Sequence, residues 1–201
     1  KIETFTKVER NTGQRTVLNP VRNETLENTG LYLQYLRQIN ENWRGIAGFR
    51  IDDDSILGRQ SSFRFGAVGQ LPYDVIVKAL AGSSFQAPSP ELLYRTAVQA
   101  GDIIGNPDLI AQQAKTYEIS ASMPLKDNLH MSLTYFNTQV DDLVVFTSDG
   151  SNLFATNSTA SETKGVELEL RMLWRGLNGY FNYSWQRTRR DPSPLSIFVL
   201  E

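Results

Sequence analysis

Residues Gly165 to Gln186 read GVELELRMLWRGLNGYFNYSWQ. Val166, Leu168, Leu170, Met172 and Trp174 share one parity; Glu167, Glu169 and Arg171 share the other. After Arg175-Gly176, Leu177, Gly179, Phe181, Tyr183 and Trp185 alternate with Asn178, Tyr180, Asn182, Ser184 and Gln186. Sorting with a period of two belongs to extended strands, not to helices. The stretch predicts a hairpin with a tight turn and one face that carries no charge over two strands.

The rest of the chain repeats the pattern. Leu31, Leu33 and Tyr35 form a row within residues 25–39, with Arg37 as its one blemish; near a strand end its long side chain reaches polar surroundings. Further rows are Trp43 to Ile51, Phe63 to Leu71, Val75 to Phe85, Tyr117 to Leu125 and Leu129 to Tyr135, the last strand running on to Phe146. Lys1 to Val8 is a short strand candidate, Glu9 to Glu24 a polar loop, and Arg187 to Glu201 a polar loop that leads toward another strand. Five apolar residues, Ile46, Val68, Ile76, Leu80 and Phe136, fall on the polar side, which implies contacts inside a lumen or a slip of register at a bulge.

Connections alternate in length. Tight turns are expected at Asn40, Pro72, Lys126 and Arg175, and longer polar loops at 10–24, 53–60, 87–114, 147–161 and after 187. Within 87–114, Glu91 to Gln99 suits one or two helical turns. Short turns on one side and long loops on the other are the habit of an up-and-down barrel in an outer membrane, not of a Greek-key sandwich. Trp43 and Trp174 stand beside short turns and, with Trp185, are candidates for the aromatic girdle at the membrane boundary.

Two readings compete for the apolar faces. In a soluble antiparallel sheet they would pack on a core. In a membrane barrel they would face lipid, where a charge at the midplane costs about 2–4 kcal/mol. The membrane reading explains why the apolar rows stay uncharged while Arg44, Arg50, Arg64, Lys78, Glu118, Glu167, Glu169 and Arg171 mix both signs at mid-strand on the other face, as a water-filled lumen allows. A mean hydropathy of −0.33 does not oppose it, because alternating strands hide from hydropathy averages.

Composition narrows the chemistry. A net charge of −2 over 201 residues, with no basic aromatic cluster, gives no reason to expect nucleic acid. There are no cysteines and one histidine, His130, so neither a disulfide framework nor a multi-histidine metal site is available. Asp52-Asp53-Asp54 and Asp141-Asp142 lack the spacing of a calcium loop and read as solvated loop tips. No catalytic constellation or cofactor motif is present, so no enzyme is expected. Asn157-Ser158-Thr159 has the form of a glycosylation sequon with no role in a bacterial outer membrane.

Four segments then carry a resemblance. GSSFQAPSPELLY (Gly82–Tyr94), GNPDLIAQQAKTYEIS (Gly105–Ser120), LTYFNTQVDDLV (Leu133–Val144) and TKGVELEL (Thr163–Leu170) occur in the order and spacing found in TonB-dependent outer-membrane receptors. Gln86 stands where that family usually has Arg, and Ala111-Gln112 replaces a Pro-Glu pair. The resemblance implies an all-β, antiparallel up-and-down transmembrane barrel. Residues 1–201 would supply about nine or ten of its about 22 strands, as an interior fragment without the plug domain, the TonB box or the terminal aromatic strand.

It further implies TonB-energised uptake of a scarce ligand such as a ferric siderophore, haem or cobalamin, in the bacterial outer membrane. The partners would be the TonB-ExbB-ExbD complex, reached through the missing plug, and outer-membrane lipid and lipopolysaccharide; no cofactor is implied. Ligand contacts are expected on the long outer loop, at Gln86, Tyr94, Arg95, Asp102, Asn106 and Asp108, where Tyr94 and Arg95 suit stacking on or pairing with an anionic chelate. A passive porin-like barrel and a soluble extracellular carbohydrate-binding β module are the alternatives.

Overall fold

Alternation in a single strand becomes a face only if neighbouring strands pair in matching register, and here they do. The structure, a computed structural model, describes residues 6–8, 15–17 and 27–190 apart from 56, 98 and 149. The strands are β1 (Thr6–Val8), β2 (Arg15–Val17), β3 (Asn28–Gln38), β4 (Trp43–Asp54), β5 (Gly58–Leu71), β6 (Val75–Gln86), β7 (Ile103–Ile104), β8 (Gln112–Lys126), β9 (Leu129–Ser148), β10 (Leu153–Trp174) and β11 (Leu177–Arg190). β1 and β2 pair as a separate two-stranded sheet, so the loop expected over 9–24 contains a strand. The expected opening strand reaches into residues 1–5, and the expected final loop into 191–201; both stretches lie outside the described residues.

The remaining strands form one nine-stranded sheet in the order β11-β10-β9-β8-β6-β5-β4-β3, with β7 paired to β10. Apart from β7, each strand is antiparallel to its neighbour in chain order, which is the up-and-down arrangement. The apolar rows read from separate segments line up across it. Trp43 faces Gly69, then Val77, Ala121, Leu133, Leu168 and Tyr183 in one unbroken row. The next row runs from Arg37 through Gly45, Ala67, Ala79, Ile119, Tyr135 and Val166 to Trp185. The inward apolar residues keep this register too: Ile46 faces Gly66, which faces Leu80, and Phe136 faces Gly165. They result from no slip, and the side chains of Ile46, Leu80 and Phe136 close over Gly66 and Gly165.

The row that starts beside the turn at Trp43 meets β10 at Leu168, well short of the end of that strand at Trp174. That stagger is what strands tilted to a barrel axis require. Among the described residues nothing packs on the apolar side: Leu33 is 74% exposed, Phe65 53% and Leu133 46%. An apolar surface spread over so many strands is not stable in water and needs lipid or a partner to cover it. The soluble-sheet reading needs a packed second layer, and the described residues supply none.

The short turns lie at residues 39–42, Pro72–Asp74, 127–128 and 175–176, as the sequence predicts. Tyr73, Asp74 and Arg175 take positive φ there, and Gly176 sits at φ 83. Strict alternation of loop lengths does not hold. β4 and β5 are joined across residues 55–57 alone, β9 and β10 across 149–152, and β11 continues through Arg187 to Arg190. Residues read as loops are therefore strands that project past the apolar band. They were hidden because their outward positions are polar: Asp53, Arg59, Asp141, Glu162 and Arg189 sit where lipid no longer selects apolar side chains.

Candidate functional site

Only one of the described connections is long, residues 87–111 between β6 and β8, and it is folded. Helix α1 (Pro90–Tyr94) begins at Ser89, whose Oγ accepts the Leu92 N–H at 3.3 Å, with Pro90 at its start where no amide is needed. It is a single turn, shorter than the span expected. The chain then doubles back. The Gly105 N–H donates to the Arg95 carbonyl at 2.6 Å and the Asn106 N–H to the Leu92 carbonyl at 2.8 Å. A Cβ on Gly105 would sit 2.5 Å from the Arg95 nitrogen, so the return crossing requires glycine.

This cap is docked on the projecting parts of β9 and β10. β7 pairs in parallel with Leu153 and Phe154. Leu93, Leu109 and Ala155 are buried together, with Leu92, Tyr94, Val144 and Phe146 around them. Asn106 donates to the Ala155 carbonyl at 3.0 Å. Asn157 accepts from the Ile110 N–H at 2.9 Å and donates to the carbonyls of Ile110 and Asp142 at 3.1 and 2.7 Å. Asp142 takes φ 57 at a bulge of the same two strands. Read as an idle sequon, Asn157 is in fact the latch of the cap. Its alternation is broken by the bulge, so no periodic signal marks it.

The six residues expected to meet a ligand divide into two groups. Tyr94 packs on the buried cluster, Asn106 is spent on the Ala155 carbonyl and the Asp108 N–H, and Asp102 accepts the Gln99 N–H at 2.9 Å. Gln86, Arg95 and Asp108 are exposed on the rim. Arg95 is held by Glu91 at 2.6 Å, an i,i+4 pair that leaves its side chain 39% exposed. The cap thus brings Tyr94, Arg95, Asn106 and Asp108 together and places Gln86 at the end of β6 beside it.

The inward wall below carries both signs: β4, β5 and β6 contribute Arg44, Arg50, Arg64 and Lys78 together with Asp52, while β8 and β10 contribute Glu118, Glu167 and Glu169, the last paired with Arg171 at 2.9 Å. Arg64 lies between Gly48 and Gly82, which leave its side chain room. Arg50 is committed to Asp52 through two bonds of 2.6 Å. Asp52 is 1% exposed, and a Cβ on the facing Gly30 would come within 2.8 Å of its carboxylate. Asp52 is thus a lumen-wall residue, not a loop tip. His130 faces Arg171 on this same side. Among the described residues no group of three His, Cys, Asp or Glu comes together to hold a metal.

The Trp residues mark two levels. Trp43 lies flat against Gly69, where an added Cβ would be 2.6 Å from the ring, and Trp174 stacks under the Arg175 guanidinium at 5.3 Å; both flank short turns. Trp185 sits at the far end of its strand's apolar row, opposite Val166.

Tilted antiparallel strands with an oily outside, a charged inside and a folded cap at one rim define part of the wall of an outer-membrane β-barrel. The chain belongs to the TonB-dependent receptor-like β-barrel family, whose model matches residues 4–197. Its short-turn end is therefore periplasmic and its capped end extracellular, in the bacterial outer membrane. It is 29% identical over 147 residues to the vitamin B12 transporter BtuB of Photobacterium profundum, covering 71% of this chain and 23% of that protein.

The siderophore receptor PirA of Pseudomonas aeruginosa shares its fold at a TM-score of 0.71 and 22% identity, over 81% of this chain and 32% of that one. The ferric enterobactin receptor PfeA of the same organism does so at 0.68 and 19%, over 80% and 26%. The chain thus spans about a quarter to a third of the length of these relatives, which are receptors and transporters rather than enzymes.

Proposed function

We propose that the whole protein carrying these strands takes up a scarce chelate or cofactor of the ferric siderophore, haem or cobalamin class. TonB-ExbB-ExbD supplies the energy, acting on a plug domain that lies outside residues 1–201. The observation that carries this reading is the family match over nearly the full chain. The extracellular cap supports it by offering an ordered platform, on which Gln86, Arg95 and Asp108 make first contact while Tyr94, Asp102 and Asn106 hold the shape. Below the cap, Arg44, Arg64 and Lys78 form a basic strip suited to guiding an anionic ligand inward.

The test is uptake of ferric enterobactin, haem and cyanocobalamin by a receptor-deficient strain expressing the whole protein. One of them is taken up, and a protonophore abolishes that uptake. Entry that persists without the proton gradient makes the barrel a passive pore, and no entry of any of the three rejects the ligand class. Arg95→Ala weakens binding of the accepted ligand roughly tenfold, as loss of a charged hydrogen bond does; unchanged affinity removes Arg95 from the site.

A further inference from the structure

Most inward-facing glycines of the wall are roofed by side chains. Gly30 lies under Asp52, Gly48 under Tyr32, Gly66 under Ile46 and Leu80, and Gly165 under Phe136, each with an atom within 3.3 Å of where a Cβ would stand. Gly82 is different. A Cβ there would meet the Phe63 carbonyl oxygen at 3.3 Å, and no side chain from another described strand comes within 4 Å. Leu80, one step toward the periplasm, leans the other way, over Gly66. Gly82 is thus the floor of an open notch in the lumen wall.

The sides of that notch are polar. Gly82 faces Arg64 on β5 and Thr116 on β8, so these two flank it across two strand spacings, about 10 Å. Arg64 is exposed and has no carboxylate partner among the described residues. Thr116 faces Thr138, and their hydroxyls lie 3.1 Å apart. One hydroxyl donates to the other, so one O–H of the pair stays free for a guest. Arg44 and Lys78, the other cations of the basic strip, face each other across Val68, whose side chain occupies the position between them. At Gly82 an unpaired cation, a free hydroxyl and an empty floor coincide.

We propose that Arg64, Gly82 and the Thr116–Thr138 pair form a lumen subsite for one projecting carboxylate or phosphate group of the imported ligand. The guanidinium binds the anionic oxygens from one side, and the free hydroxyl donates to them from the other. The absence of a side chain at Gly82 lets the group come close to the wall. The subsite rests on the uptake reading and narrows it. Haem carries propionates and cyanocobalamin a phosphodiester, so either can fill the notch. Ferric enterobactin spends its anionic oxygens on iron and projects no such group.

The experiment is equilibrium binding of haem, cyanocobalamin and ferric enterobactin to the purified whole protein in detergent, with melting temperatures recorded alongside. Haem or cyanocobalamin binds, and ferric enterobactin binds more weakly than the accepted one. Arg64→Gln weakens the accepted ligand roughly tenfold, as loss of a charged hydrogen bond does, and Thr116→Val roughly threefold, as loss of a neutral one does. Gly82→Ala keeps every charge but fills the notch, and weakens binding as well; if it fails to fold, the isosteric Thr116→Val decides. Native affinity in Arg64→Gln or in a folded Gly82→Ala overturns the subsite. A lower melting temperature in Arg64→Gln at native affinity does so too, because the guanidinium would then hold a group of the protein itself. Preference for ferric enterobactin overturns the subsite and leaves the uptake reading standing, whereas binding of none of the three rejects both.

Discussion

Asn157 pairs with Ile110 as one strand pairs with another: its Oδ1 accepts the Ile110 N–H at 2.9 Å and its Nδ2 donates to the Ile110 carbonyl at 3.1 Å. The same amide donates to the Asp142 carbonyl at 2.7 Å. One side chain thus joins the returning arm of the cap to the bulge of β9. Asn157→Ala leaves these backbone groups unsatisfied, at about 1–3 kcal/mol. The loss is local, because the barrel ladders do not pass through it. Hydrogen exchange should speed up across residues 103–111 while the β9 and β10 amides below the bulge keep their protection. Equal loss of protection in both places would show that cap and wall unfold as one.

Gly165 marks a close approach inside the wall. A Cβ there would lie 2.5 Å from the Trp185 carbonyl, 2.8 Å from Phe136 Cζ and 3.0 Å from Gln186 Cβ. The first is backbone and cannot step aside without bending β11. Gly165→Ala is expected to destabilise the folded barrel by about 1–3 kcal/mol through overpacking. Gly179→Ala meets nothing nearer than Met172 Cε at 3.7 Å and is expected to stay close to neutral. Urea unfolding of the whole protein in lipid vesicles compares the two; equal midpoints would refute the close-approach reading.

Glu162 stands on the outward face above the apolar band. The Asn137 amide donates to it at 3.0 Å, and Lys164 lies 3.4 Å away. The amide first and the ammonium second hold its carboxyl below the usual carboxylate range. A carboxyl depressed in the folded state stabilises at neutral pH, and that contribution disappears as pH falls through its folded value. The stability difference between the native protein and Glu162→Gln is therefore expected at pH 7 and gone at the acid end of the carboxylate range. A difference independent of pH would remove the ionised form from the account.

The alternation of β10 and β11 was legible residue by residue, and so were the four short turns and the inward position of Arg44, Arg64 and Lys78. Lipid selects strongly, because a misplaced charge is expensive there, and so it writes a clear period-two code. Above the band the selection stops. The ends of β4, β9, β10 and β11 therefore read as loops, although their backbone ladders continue.

The cap was legible in its composition but not in its closure. Ser89-Pro90 marks the start of α1 by local chemistry that a sequence shows. Leu93, Leu109 and Ala155 meet only because the chain doubles back within the cap and docks it on β10, and no local pattern encodes that meeting. Tyr94 and Asn106 looked like ligand contacts for the same reason: they dock against Ala155 and its neighbours on β9 and β10, which are distant in sequence.

What the sequence determined by itself is the orientation of each strand's two faces, because burial in hydrocarbon acts on every side chain separately. What the tertiary structure decided is which residues stand opposite one another. The facing of Lys164 and Arg187, the seating of Trp43 on Gly69 and the latch of Asn157 on Ile110 are all matters of register and return. Register is fixed by hydrogen bonds between strands, and a sliding of one position would send every apolar side chain to the wrong face.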